Sequence, residues 1–277
     1  MIKIVDVLLN RLVVIVFLTT GLALLALNLY GFTQDLRPDG LTPEVLRFGD
    51  QDLSLTPPEL EQAITRLPDE TDRQYAKRLT LDLAAGIAHV EWEAFDPDLF
   101  HQRVPVWENY ILHLMGVVTS IPEYQRYHYA NPYRSIERGI GICGDASMTL
   151  SGLLDEQGIA NKIITVPGHV MVEAYFDGEP LLLDADFGVV LEQGIMFYEQ
   201  NPQALISAYQ QQLGRVNDGE LMIAGNLIKD GFKYWNGTSH FITKKYYFEK
   251  IAYVVKWAFP VILLLIAMIM WRKTGQR

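Results

Sequence analysis

Two long apolar runs dominate the hydrophobic pattern of the chain, one toward each end. From Leu12 to Phe32 the sequence LVVIVFLTTGLALLALNLYGF holds no Asp, Glu, Lys or Arg. At about 1.5 Å of rise per residue such a helix reaches about 30 Å, the thickness of a bilayer core. A cleavable signal peptide would have a shorter apolar region and a small-x-small site at its end, so an uncleaved anchor over residues 1–32 is expected. The second run, IAYVVKWAFPVILLLIAMIMW over 251–271, is broken only by Lys256. Lys256 stands close enough to the start to snorkel to the interface, and Trp257 and Trp271 suit the two interfacial belts. A second transmembrane helix is expected there, followed by a basic tail over 272–277.

Between the runs the apolar positions recur at shorter periods. TPPELEQAITRL reads as a helix capped by Thr56 with prolines in its first turn. Thr71–His89 places Leu79, Leu83 and Ile87 on one helical face, Pro105–Val118 predicts a third helix, and Asn201-Pro202 opens another that runs to about Leu213. The stretch 122–138 is rich in Tyr and Arg without helical period and is expected to be loop. Residues 33–120 thus form a mainly helical part and 121–250 a mixed one.

Charge sharpens this picture. The formal net charge is -10, yet residues 33–250 carry 17 Lys+Arg against 32 Asp+Glu, whereas the two ends hold 6 basic residues and 1 acid. An acidic body lacks the clustered positive face that a nucleic-acid groove needs. Lys3 and Arg11 precede the first span, and Arg272, Lys273 and Arg277 follow the second, which favours cytoplasmic termini. Lys244, Lys245 and Lys250 oppose that bias. The expected arrangement is an integral membrane protein with 33–250 outside the cytoplasm.

Candidate chemistry concentrates in residues 139–188, GIGICGDASMTLSGLLDEQGIANKIITVPGHVMVEAYFDGEPLLLDADFG. Ala146, Leu150, Leu153 and Leu154 mark an amphipathic helix that ends at Gly158, so Cys143, the sole cysteine, opens it. A lone cysteine is most often a small buried hydrophobe. At a helix start, however, free N–H groups and the dipole favour an anion and can receive an oxyanion. Asp145 opposes that negative charge, so a cation is required nearby, and His169 is the candidate. Residues 170–176 read as a strand that turns at Asp177-Gly178 into LLLDADF. Whether the loop is 177–178 or 177–180, His169, Asp184 and Asp186 share one face. One carboxylate can fix the imidazole while its other nitrogen meets the thiol.

An unpaired Cys opening a helix, then a strand-borne His, then a strand-borne Asp, resembles the transglutaminase-like (papain-like) superfamily over about 50 residues. The matching positions are Gly141-Ile142-Cys143-Gly144-Asp145, Gly158-Ile159, His169 with Glu173, and Asp184. The sequence departs from the family pattern at Ala146, Ser147, Val170 and Ala185, and Asp186 remains a possible substitute for Asp184. The resemblance implies an α+β fold: a Cys-bearing helix packed on an antiparallel sheet that bears His and Asp, here flanked by two transmembrane helices. It implies Cys143 as nucleophile, His169 as base and Asp184 as orienter in acyl transfer to water (a cysteine protease or amidase) or to an amine (a transferase). A catalytically silent binding or assembly subunit is the alternative. Trp107, Gln125 and Tyr127 are upstream candidates for an oxyanion donor. The histidines at 89, 101, 113, 128 and 240 lack metal-ligand spacing and no phosphate-cradling glycine loop occurs, so no cofactor or metal is expected. Tethering points to a protein or cell-envelope polymer near the membrane as partner, besides the lipid bilayer itself.

Overall fold

Backbone propensities and caps place the elements of the computed structural model, which describes residues 2–47, 54–91, 93–215 and 217–275. In chain order these are α1 (Ile2–Gly31), α2 (Pro57–Ala63), α3 (Asp72–Gly86), β1 (Ala88–His89), α4 (Tyr110–Val118), α5 (Pro122–Gln125), α6 (Pro132–Arg138), β2 (Ile140–Gly141) and α7 (Cys143–Glu156). There follow β3 (Asn161–Val166), β4 (His169–Phe176), β5 (Glu179–Asp184), β6 (Val189–Leu191), α8 (Ile195–Gln200), α9 (Pro202–Leu213), α10 (Asp218–Asp230), β7 (Lys233–Trp235), α11 (Thr238–Phe241) and α12 (Thr243–Gly275). The chain divides into two compact units. One comprises the residues described within 1–36, 103–127 and 248–277, the other those within 37–102 and 128–247.

The larger unit is a mixed helix and sheet fold. Five strands pair antiparallel in the order β6-β5-β4-β3-β7, while β1 and β2 form a short parallel pair. Because side chains alternate across a strand, each strand feeds two cores. Ile163, Val172, Ala174, Leu181 and Leu183 pack with Leu79 and Leu83 of α3 and with Ala146, Leu150 and Leu154 of α7. Ile164, Met171, Leu182, Val189 and Leu191 pack with Leu205 and Tyr209 of α9 and Ile223 and Leu227 of α10. With both faces covered, the strands read as near-continuous apolar runs.

Several expected elements shift. The expected loop at 122–138 contains α5 and α6. Prolines occupy the first position of each, and the Asn131 side chain caps α6 by accepting from Tyr133 N at 3.0 Å. Elements this short leave no room for a helical period to show. The third helix begins at Tyr110 rather than Pro105, because Asn109 Oδ1 accepts from Ile111 N and Leu112 N. The second stops at Gly86, and Ala88–His89 pair with Ile140–Gly141 instead.

Two helices, Leu8–Gly31 and Thr243–Lys273, are long and apolar enough to cross a membrane, with only 17% and 22% of their most apolar stretches buried; the smaller unit holds the first and, from Phe248 onward, the second. So little burial is unlike the core helix of a soluble fold. The two run antiparallel. Gly21 lies against Leu264 and the Pro260 carbonyl, Asn28 Nδ2 donates to Lys256 O at 2.7 Å, and Phe32 stacks on Trp257. Lys256, expected to be able to snorkel to the interface, is paired inside the protein. It is buried, and its ammonium donates to the Glu108 carbonyl, a partner remote in sequence. Of the basic residues used to orient the spans, Arg277 lies outside the described residues.

Candidate functional site

The turn that presents the thiol is built from glycines with specific work. Gly139 ends α6 with φ +62°, a left-handed conformation that suits glycine. At Gly141 a Cβ would come within 2.5 Å of Asp145 Cβ, so only glycine lets the incoming chain pass the helix start. Cys143 then occupies the first turn of α7 and is half-buried. Asp145 Oδ2 accepts from Ile142 N at 3.0 Å, closing the first turn. The same carboxylate pairs with Arg138 Nη2 at 3.1 Å and His128 Nδ1 at 2.8 Å. Burial would raise its pKa, but the charges of His128 and Arg138 and these hydrogen bonds hold it below the usual carboxylate range. The cation that Asp145 requires is therefore local to it.

His169 arrives from the other direction. It is the first residue of β4, paired with Val166 across the Pro167-Gly168 turn. Ser147 Oγ of α7 donates to Val170 O at 2.9 Å, fixing the helix start against this strand end. The β4–β5 loop is the two residues Asp177-Gly178, both with positive φ (52° and 85°), and Val172 pairs with Leu183. Positive φ at both positions is the hairpin turn whose twist matches the strands. This register is the first of the two read from sequence.

His169 Nε2 hydrogen-bonds Asp184 Oδ2 at 2.7 Å, both side chains being almost fully buried. Asp184 Oδ1 accepts from Asp186 N and Phe187 N, each at 3.1 Å, and Tyr209 Oη donates to Oδ2. Burial would push the Asp184 pKa up, yet His169 and these donors hold it below its ordinary value. Burial would likewise depress the imidazole. The Asp184 charge and hydrogen bonds to Asp184 and Cys143 outweigh it and hold His169 well above its ordinary value. With Nε2 committed to Asp184, Nδ1 is the ring nitrogen left for the sulfur.

Cys143, His169 and Asp184 are thus brought together in sequence order. Asp186 also belongs to the cluster: Cys143, His169 and Asp186 each offer an atom within 4.8 Å of the other two. Asp186 is itself held by His89 Nδ1 at 2.6 Å and Arg47 Nη1 at 3.4 Å. Sulfur, nitrogen and carboxylate donors at such separations could hold a Zn²⁺ ion, with Asp184 supporting the histidine as carboxylates do behind metal-bound imidazoles. The arrangement can alternatively move a proton between sulfur and imidazole.

Sequence reasoning missed His89, His128, Arg138, Arg47 and Tyr209. His89 and His128 carry no spacing signal because their partners lie 97 and 17 residues away. Trp107, Gln125 and Tyr127 belong to the smaller unit, where the Tyr127 hydroxyl donates to Glu249 at 3.0 Å. A cavity of about 540 Å³ in the larger unit, lined by Ile64, Arg66, Tyr75, Tyr133 and Leu153 among others, includes none of the cluster. No family model, no curated protein and no solved structure matches the chain.

Proposed function

We propose that the chain is a membrane-anchored, transglutaminase-like thiol enzyme that cleaves or transfers an acyl group. Cys143 attacks an amide or ester carbonyl, His169 takes up and returns the proton, and Asp184 orients the ring. The carbonyl carbon gains the sulfur and loses its amine or alcohol, which leaves with the proton from His169; water or a second amine then releases the acyl group. The observation that carries this reading is the buried hydrogen-bonded series Tyr209–Asp184–His169 ending at the chain's one cysteine. A protonated imidazole facing a half-exposed cysteine is the setting in which a thiolate acts as nucleophile. The order of Cys, His and Asp and the helix-on-antiparallel-sheet placement support a papain-like core. Basic residues beyond the spans support a catalytic unit outside the cytoplasm, where a protein or envelope polymer near the bilayer would be its substrate.

The test is alkylation of Cys143 at neutral pH by a thiol-reactive probe. Fast labelling that drops at least tenfold in His169→Ala is expected. Slow labelling indifferent to that change sinks the enzymatic reading. A second reading, a silent scaffold or assembly subunit, has in its favour the cavity lying apart from Cys143. Recovery of an acyl group on Cys143 from cell extract would exclude it.

A further inference from the structure

We infer that α4 is a third membrane element: it lies in the bilayer interface with its apolar face turned to lipid. The inference rests on the two long helices being membrane spans. Sequence gives the first reason. Over Tyr110–Val118 the residues YILHLMGVV are apolar on every side except for Tyr110 and His113. The Tyr110 hydroxyl donates to Lys256 O at 3.1 Å, and His113 Nδ1 is bonded to the Val104 carbonyl at 2.9 Å. A helix hydrophobic all round belongs inside a large core or in a membrane.

Packing excludes the core. Only Leu112 and Gly116 are buried, and at Gly116 a Cβ would stand 2.4 Å from the Tyr124 carbonyl, so the α5 segment covers that side. The opposite side is Leu114, Val117 and Val118, exposed by 57%, 54% and 66%, and Ile121 continues the stripe. Their spacing of three and four residues makes one continuous apolar face. Open to water, it would add a patch of the kind soluble proteins rarely leave uncovered.

Depth gives the third reason, and it names lipid as the occupant. The exposed apolar surface of α12 runs from Ile251 to Trp271, about 30 Å of helix and a full hydrocarbon thickness. The start of α4 is fastened to α12 within that length. Besides the Tyr110 bond, Lys256 Nζ donates to Glu108 O and Tyr253 Oη to the Glu108 carboxylate. Lys256 lies five residues inside Ile251, roughly 7 Å below that edge. Interfacial helices bury their apolar face by about 5–10 Å. The start of α4 is therefore held at a depth that a bilayer surrounding α12 reaches.

Spin labels on the full chain in phosphatidylcholine vesicles test this. Cys143→Ser, or Cys143→Ala should the first fold poorly, removes the only cysteine. Single cysteines are then placed at Leu114, Val117 or Val118, at Glu123 as a water-facing control, and at Val16 and Ile262 in the spans. Oxygen collisions exceeding those of a water-soluble nickel chelate by at least threefold at 114, 117 and 118, with the reverse at 123, are expected. Nickel contact dominating at all three α4 positions would overturn the inference. Low contact with both reagents would mean that protein covers the face, and would overturn it too. Water-like contact at 16 and 262 would instead defeat the reading of the spans, and the inference with it.

Discussion

Arg138 and Asp145, seven residues apart in the chain, meet as an ion pair at 3.1 Å with both side chains fully buried. The pair brackets the glycine turn that delivers Cys143, and Arg138 also lies over the Tyr129 ring at 4.8 Å. An acid two residues from a nucleophilic sulfur would oppose its negative charge. With Arg138 and His128 bound to it, Asp145 is matched locally and serves to close the first turn of α7. His169 is then left to the sulfur and to Asp184.

Breaking that pair from one side should be severe. Arg138→Met leaves a buried carboxylate short of a partner, at a cost of about 3–5 kcal/mol. Asp145→Asn strands a buried guanidinium and weakens the turn. Denaturant unfolding of the full chain in detergent should show each loss, and Arg138→Met/Asp145→Leu should lose clearly less than the two single changes added. Strict additivity would show the pair to be uncoupled.

The His169–Asp184 pair carries a defined pH signature. The folded His169 pKa is raised, so its contribution is complete below its ordinary value and is lost as pH climbs through the folded one. The folded Asp184 pKa is lowered, so its contribution is present above its ordinary value and is lost as pH falls through the folded one. The stability gap between the native chain and Asp184→Asn should be widest between about pH 4 and pH 6.5 and shrink toward alkaline pH. Thermal melts across pH 3–10 measure it. A gap that grows with pH above 7 contradicts the pairing.

How much of this was legible follows from how local each signal is. Thr56 with its prolines announced one helix and the spacing of Leu79, Leu83 and Ile87 the next, because a cap and a helical period each need only near neighbours. The Cys143, His169 and Asp184 cluster was legible for the same reason: helix start, strand and hairpin are each local patterns, and the parity of β4 and β5 did the rest. Tyr209, His89 and Arg47 were not, since nothing local marks a hydroxyl on α9 or a histidine 97 residues from Asp186 as its partner. The partner of Lys256 was not legible either, because its position in an apolar run says nothing of the Glu108 carbonyl that receives it.

Gly21 tests the packing of the two spans. Its missing Cβ would stand 2.9 Å from the Leu264 side chain and 3.0 Å from the Pro260 carbonyl. Small residues of this kind let membrane helices approach closely. Gly21→Leu should force α1 and α12 apart and cost about 1–3 kcal/mol, read as an earlier thermal transition in detergent. Gly21→Ala should cost less, because a single methyl asks for only small shifts of the Leu264 side chain and the Pro260 carbonyl. Equal melting of Gly21→Leu and the native chain would place the contact elsewhere.

The single thiol also reports topology. If residues 33–250 lie outside the cytoplasm, a membrane-impermeant maleimide should label Cys143 in sealed right-side-out membranes without detergent. In inverted membranes labelling should appear only after permeabilisation. The opposite result would place both termini outside. Cys143 is half-buried, so a denatured sample labelled in parallel sets the scale.

Tyr209 separates the orienting role of Asp184 from its charge. The phenol donates to the same carboxylate oxygen that holds His169 Nε2, and burial together with the Asp184 charge keeps its own pKa well above the ordinary value, so it stays a donor at any working pH. Tyr209→Phe removes one hydrogen bond to a charged group, worth about 1.5–3 kcal/mol, and the long hydroxyl contact to Met171 Sδ at 3.9 Å, while the ring contact with Phe187 and the surrounding core stay largely in place. Asp184→Asn removes the charge itself and offers the imidazole an amide instead of an acceptor on both oxygens. Labelling of Cys143 at neutral pH should therefore fall several-fold in Tyr209→Phe and much further in Asp184→Asn. The two changes combined should do no worse than Asp184→Asn alone, because the phenol acts only through the carboxylate. A double variant clearly slower than Asp184→Asn would show Tyr209 reaching the sulfur by some other route.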